Sequence, residues 1–167
     1  MRSLITAVFC IAVPMPALSD IVVLFDEGAP KDKFVISNEG ACPLADLTLR
    51  IDLGSSAAGL ILDVTKEGAG VSVYQPLEFV SGKSLLSEVP QVRDGDSIIA
   101  LPIARLGPED QIVFTIDVDD TLGVSPTMIS GAEITGARIV VETSGQQKST
   151  DFGETASARM PMNGCSA

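Results

Sequence analysis

The chain predicts an all-β fold, a single β-sandwich. Three observations carry that prediction. Apolar residues recur at every second position in almost every patterned segment, the period of a strand with one face in a core. Clusters of Gly, Pro, Asn, Asp and Ser break those segments at short, regular intervals. No stretch shows the 3.6-residue spacing of an ordinary amphipathic helix.

The elements follow in order. Ile21–Phe25 and Lys33–Ser37 are short apolar runs on either side of Glu27-Gly28-Ala29-Pro30, a turn. Leu47, Leu49, Ile51 and Leu53 alternate with Thr48, Arg50 and Asp52. Leu60–Val64, Val71–Tyr74 and Leu77–Val80 are shorter candidates, separated by Glu67-Gly68-Ala69-Gly70 and a proline. Leu85-Leu86 with Val89-Pro90 and Val92 reads as an edge strand in which Pro90 withholds one ladder donor, or as an exposed apolar contact. Ser97–Ile103 follows the Asp94-Gly95 turn. Ile112, Phe114, Ile116 and Val118 then alternate with Val113, Thr115 and Asp117 after the Leu106-Gly107-Pro108 turn. Both turns place a glycine where a positive φ is expected. Ile139 and Val141 alternate with Arg138, Val140 and Glu142, and Thr155–Met160 closes the pattern. Seven to ten strands are expected, as in a small sandwich.

The first 19 residues have the form of a secretory signal. Arg2 is the only charge before Asp20, Leu4 to Val13 is a run of ten residues that is apolar but for Thr6, and Ala17-Leu18-Ser19 suits cleavage before Asp20. A run of about ten residues is half of what a membrane crossing needs. The expected organisation is therefore a signal over 1–19, a sandwich over 20–160 and an irregular tail over 161–167. The product would be exported to the periplasm or the medium, with no membrane span left. Cleavage takes Arg2 and no acid, leaving ten basic residues against 22 acidic ones, a balance of −12. Such a field repels nucleic acid and anionic membrane surfaces and favours divalent cations. Two cysteines would remain, Cys42 and Cys165. In an oxidising compartment an even count suggests one disulfide, tying the tail to an early loop.

Several stretches together resemble a group of short secreted bacterial proteins called aggregation factor core proteins, after the core of the sponge cell aggregation factor. They are Glu27-Gly28-Ala29-Pro30-Lys31-Asp32-Lys33-Phe34, Asn38-Glu39-Gly40-Ala41-Cys42 and Ile51-Asp52-Leu53-Gly54-Ser55-Ser56. To these add Ala58-Gly59-Leu60-Ile61-Leu62-Asp63-Val64, Gly68-Ala69-Gly70-Val71 and Phe114 through Gly123. The resemblance covers most of the exported chain. It implies export and a role in surface adhesion, and no catalytic signature comes with it. Sponge aggregation depends on calcium, so it also raises the expectation of calcium. Separately, Phe34-x-Ile36-x-Asn38-x-Gly40 before an alternating strand is similar to the opening of many extracellular immunoglobulin-like modules.

Phe114–Gly123, FTIDVDDTLG, holds the strongest candidate site: Asp117, Asp119 and Asp120. Calcium takes six to eight hard oxygens, and carboxylates clustered near a turn supply several. In a strand, Asp117 and Asp119 would share one side, away from Ile116 and Val118. The remaining oxygens would come from other loops, with Asp63, Glu133 and Asp151 as candidates. The competing reading is a strand running into an acidic turn, with Asp117 facing water and Asp119 and Asp120 bonding to backbone amides. Asp94-Gly95-Asp96 and Asp26-Glu27 are further acidic turns that could join the same end of the sandwich.

Enzymatic readings find little. The chain contains no histidine, so a Ser or Cys nucleophile lacks its usual base. Lys83-Ser84 are neighbours, and on a strand their side chains would point to opposite faces. Paired carboxylates could hydrolyse a glycoside, yet aromatics are 4% of the chain and tryptophan is absent, so platforms for sugar rings are scarce. The leading expectation is a secreted, non-enzymatic binding or adhesion module assisted by calcium. Its partner would be a protein, a cell-surface glycan or a second copy of itself. A small carboxylate-dependent hydrolase and a purely structural envelope subunit are the alternatives.

Overall fold

The period-two segments do become strands. The computed structural model of the chain describes residues 19–66, 74–122 and 129–162. Eleven strands lie among them: β1 (Asp20–Asp26), β2 (Asp32–Asn38), β3 (Leu44–Asp52), β4 (Ile61–Leu62), β5 (Glu78–Ser81) and β6 (Ile98–Leu106), then β7 (Gln111–Ile116), β8 (Val118–Asp119), β9 (Arg138–Thr143), β10 (Gln146–Asp151) and β11 (Ser157–Pro161). They form a five-stranded sheet in the order β11-β1-β2-β7-β5 and a four-stranded sheet in the order β10-β9-β3-β6. A small third sheet pairs β4 with β8. Every pairing is antiparallel. The fold is all-β, with two sheets packed face to face. The chain passes repeatedly from one sheet to the other, so contacts distant in sequence hold the layers together.

Alternation selects what each strand buries. Ile21, Val23 and Phe25 of β1, Phe34 and Ile36 of β2, and Ile112, Phe114 and Ile116 of β7 face Leu47, Leu49 and Ile51 of β3, Ile99, Leu101 and Ile103 of β6, and Ile139 and Val141 of β9. Within the larger sheet a phenylalanine row crosses four strands. Phe25 sits opposite Phe34, and Phe34 and Phe79 both sit opposite Phe114. Ring centroids are 5.1 Å apart for Phe25–Phe34 and Phe34–Phe114 and 5.9 Å for Phe79–Phe114. Directly opposed positions bring such rings into contact, and the pairs add to the burial that drives folding.

Both sides of the sandwich are partly closed. On one, β10 leans on β11, where the Lys148 ammonium donates to the Pro161 carbonyl at 2.8 Å. On the other, a 3-10 turn over Lys83–Leu85 leads from β5 to Leu86, which makes a single bridge to Ile103 at the outer edge of β6. The edge strand expected around Leu85–Val92 is therefore not formed. A short turn and one bridge cover that edge, and Pro102 in β6 removes one of the donors a full ladder would need.

Gly82 precedes this turn at φ 73°, and a Cβ there would stand 2.2 Å from the Gln111 carbonyl oxygen. Gly82→Ala meets both strain and a backbone clash, so it is expected to cost more than about 1 kcal/mol. Urea unfolding checks this, and an unchanged midpoint would show that the turn relaxes freely. Of the two glycines expected at positive φ, Gly95 has it, at 77°. In the 106–110 turn the positive φ falls on Glu109, at 63°, and the Asp110 carboxylate accepts the Gly107 N–H at 2.7 Å.

At the ends of the domain, β1 begins at Asp20 and β11 runs one residue beyond the expected boundary, to Pro161. Residues 1–18 of the signal expected over 1–19, residues 71–73 of the candidate strand Val71–Tyr74 and the residues after Met162 lie outside the described residues. No disulfide joins two described residues: Cys42 is disulfide-bonded to a cysteine outside them, so the pairing expected between Cys42 and Cys165 falls outside the described residues. Cys42 is the one cysteine among them, buried and not a free thiol, and Cys165 lies outside them. The described end of the chain is held by its ladder with β1, from Leu24–Ser157 to Asp20–Pro161, and by the Met162 N–H donating to the Ser19 carbonyl at 2.7 Å. Among the described residues no helix is long and apolar enough to cross a membrane.

Candidate functional site: a buried acidic cluster

Four aspartates are buried at one end of the sandwich. Asp32 opens β2, Asp63 follows β4, Asp117 sits between β7 and β8, and Asp119 belongs to β8. Their exposures are 1%, 0%, 8% and 5%. Carboxylates are almost never this buried unless paired, so the cluster requires a physical account.

The small β4–β8 sheet creates it. Pairing of Ile61 with Asp119 and Leu62 with Val118 brings the end of β4 against the end of β7. The Asp63 N–H donates to the Asp117 carbonyl at 3.1 Å, the Asp117 N–H to Gln75 at 3.3 Å and the Gln75 N–H to Asp63 at 3.2 Å. Asp94 arrives on the turn before β6. Its Oδ1 accepts the N–H groups of Val64 and Thr65 at 2.9 and 3.0 Å, which fixes that carboxylate beside Asp63. On the other side, Asp32 Oδ1 accepts the Gly28 N–H at 3.1 Å. Glu27, from the same turn, accepts the Gly131 N–H at 3.1 Å.

Burial and mutual repulsion show in the protonation of the group. Desolvation raises Asp63 to about 7, helped by close carboxyl contacts with Asp94 and Asp119. Asp117 rises to about 7, first through burial and then through the charges of Asp119, Asp32 and Asp63. Asp32 rises to about 7 through burial, although amide hydrogen bonds from Gly28 and Val118 oppose the shift. Asp119 is the neighbour all three share. Both carboxylate oxygens of Asp63, and Oδ2 of Asp117, are buried with no hydrogen-bond donor. Two carboxylates in contact are both acceptors; a shared proton or a cation is what makes the contact favourable.

The predicted site residues are placed as follows. Asp117 and Asp119 come together, and Asp120 lies next to them at the cluster's rim, half-buried. Asp117 does not face water as the acidic-turn reading has it. Ile116, Asp117, Val118 and Asp119 are all buried, because the segments 61–65, 74–77 and 93–96 roof the side that simple alternation assigns to solvent. Of the distant candidates, Asp63 joins the cluster. Glu133 binds its own loop through Ser130, with both the N–H and the hydroxyl donating at 2.7 Å. Asp151 pairs with Arg138 at 2.9 Å on the exposed face of β9 and β10. Asp94 and Glu27, from the other acidic turns, belong to the same end, whereas Asp26 pairs with Lys33 and Asp96 caps Arg93 N–H at 2.8 Å. Asp32 is the residue sequence reasoning passes over. Its signal was the short Gly28–Asp32 separation, across which the Asp32 carboxylate accepts the Gly28 N–H.

A second feature lies at the opposite end of β2. A shallow depression of about 340 Å³ is lined by Ser37, Asn38, Glu39, Glu109 and Gln111. Asn38 there is wholly buried and spends its amide on structure, donating to the carbonyls of Cys42 and Leu106 at 2.7 and 3.1 Å. Glu39 pairs with Arg159.

Compared with protein-family models, with curated proteins and with solved structures, the chain matches none. The chain is thus an all-β protein of two packed sheets with a buried acidic cluster at one end.

Proposed function

We propose that this chain is an exported, non-enzymatic binding or adhesion module, immunoglobulin-like in architecture and assisted by calcium. The observation that carries the reading is the burial of its acidic cluster. Asp63 is fully buried and Asp32 nearly so, and carboxylates sealed from solvent can clamp loops or hold an ion but cannot meet a substrate chain. A carboxylate hydrolase needs the opposite, two carboxyls about 5–10 Å apart across an open cleft. The resemblance to aggregation factor core proteins supports adhesion, and the signal-like first 19 residues support release to the periplasm or the medium. The partner is a protein, a cell-surface glycan or a second copy.

The test uses the full-length product, expressed with its leader and recovered as the cell exports it. Its intact mass is expected to begin at Asp20. Added to cells or to glycan-coated beads with calcium, it is expected to clump them or to self-associate in sedimentation. Recovery only as a stoichiometric complex with envelope proteins, without clumping, would favour the structural-subunit reading and sink this one. Retention of full-length protein in the cytoplasm would sink export.

A further inference from the structure

The buried cluster allows the calcium part of that reading to be made specific. We propose that Asp63 is the centre of a calcium site, with Asp94, Asp117 and Asp119 contributing the surrounding carboxylates. The inference rests on the proposed function only in its choice of calcium; the need for a positive charge comes from the geometry.

Asp63 is fully buried, and neither of its carboxylate oxygens meets a donor. The carboxyls of Asp94 and Asp119 lie against it, and Asp117 presents a further buried oxygen without a donor. None of the described ion pairs includes Asp63 or Asp117; the cations of Lys31, Lys33, Arg138 and Arg159 are all engaged with other acids. Leaving charged oxygens dry and uncompensated is costly, and a native fold retains such groups where something neutralises them. An all-oxygen, carboxylate-rich set selects a hard cation. Calcium tolerates irregular geometry and can draw backbone carbonyls into its shell, whereas magnesium demands a near-ideal octahedron and keeps its waters.

Among the described residues no three acidic side chains already stand in metal-holding geometry. Binding would have to turn these side chains inward around Asp63. Backbone anchors are in place for this. The cross-linked hydrogen bonds of Asp63, Gln75 and Asp117, and the amides that hold Asp94, fix the backbone segments that carry these carboxylates. The bound ion would join β4, the turn before β6 and the β7–β8 junction at one point, stiffening this end of the sandwich.

The chain carries its own reporter. Tyr74 is its one tyrosine, no tryptophan is present, and the adjacent Gln75 bonds to the Asp63 backbone. Terbium, a calcium mimic, should thus show tyrosine-sensitised emission that calcium competes away. Metal-stripped full-length exported protein is the sample, and calcium chloride and terbium chloride are the probes. Saturating calcium is expected to raise Tm by roughly 5–10 °C. Asp63→Asn is expected to abolish that rise and the terbium signal, and to raise the metal-free Tm by removing a buried charge. Asp151→Asn, on the exposed face, should keep both responses. No calcium shift together with no sensitised emission from the wild-type protein would overturn the site and return the cluster to shared protons. A response that survives in Asp63→Asn would overturn Asp63 as its centre. The wild-type emission stands even if the variant fails to fold. Clumping that persists in the metal-stripped protein, with no calcium response, would sink this site and leave the adhesion reading standing.

Discussion

Phe114→Ala is expected to lower stability by about 3–5 kcal/mol, read as a fall in Tm of roughly 10–15 °C. Phe114 is fully buried, stacks on Phe34 at an interplanar angle of 18° and touches Phe79 at 5.9 Å. It lies on β7, between β2 and β5, so its ring couples three strands of the larger sheet. Removing it loses the transfer free energy of the ring and leaves a cavity beside two rings with no partner on that side. The neighbours cannot easily collapse, because Phe34 is also held against Phe25 at 5.1 Å. Phe114→Leu, which keeps most of the volume, should lose far less. Chemical denaturation of the two variants measures both, and equal losses would show that ring stacking is not what the position contributes.

The second large effect is an inverted pH profile. In metal-stripped protein, stability is expected to fall as pH rises from about 4 to about 7. Asp32, Asp63 and Asp117 are raised from 3.8 to about 7 in the folded state. Below about pH 4 these groups are protonated in both states and contribute nothing. Between about 4 and 7 the unfolded chain releases those protons while the folded chain holds them. Unfolding then releases protons, so each step up in pH favours the unfolded state. Above about 7 the penalty is complete and stays constant. The groups that face one another here are all acidic: Asp119 and Glu27 beside Asp32, Asp94 and Asp119 beside Asp63, and Asp119, Asp32 and Asp63 beside Asp117. The exposed ion pairs of Arg138 and Arg159 are solvent-screened and weak. Melting curves across this range decide the matter. A flat profile, or one that rises with pH, would mean that the cluster is relieved in the metal-free protein by some other charge. Calcium, by favouring the ionised carboxylates, should flatten the fall and therefore stabilise more at pH 7 than at pH 5.

The strands that could be read in advance are those whose alternation carries a hydrophobic face. β3, β6, β7 and β9 bury the residues their pattern assigns. β10 could not be read this way, since Gln146-Gln147-Lys148-Ser149-Thr150-Asp151 has no apolar face and forms because Ser144-Gly145 folds it back onto β9. The apolar residues near Leu85 suggested a strand, but their burial comes from packing under a turn, which the pattern alone does not distinguish. The candidate site was legible in one part. Asp117 and Asp119 stand together in the chain, and carboxylates in close succession are visible at once. Asp32 stands where a turn enters β2 and Asp94 lies in a turn, places where an aspartate has an ordinary local role, and nothing nearby marks them as neighbours of a buried cluster.

Composition and local pattern thus suffice for an all-β chain with short strands, turn positions and a histidine-free, strongly acidic inventory, because each of these depends on neighbours within a few residues. Only the tertiary structure decides which strands share a sheet, and which acids are dry. Asp32, Asp63, Asp94 and Asp119 span most of the domain's length. They meet because a two-residue pairing, β4 with β8, closes over them, and desolvation and repulsion then act between groups that no local pattern connects.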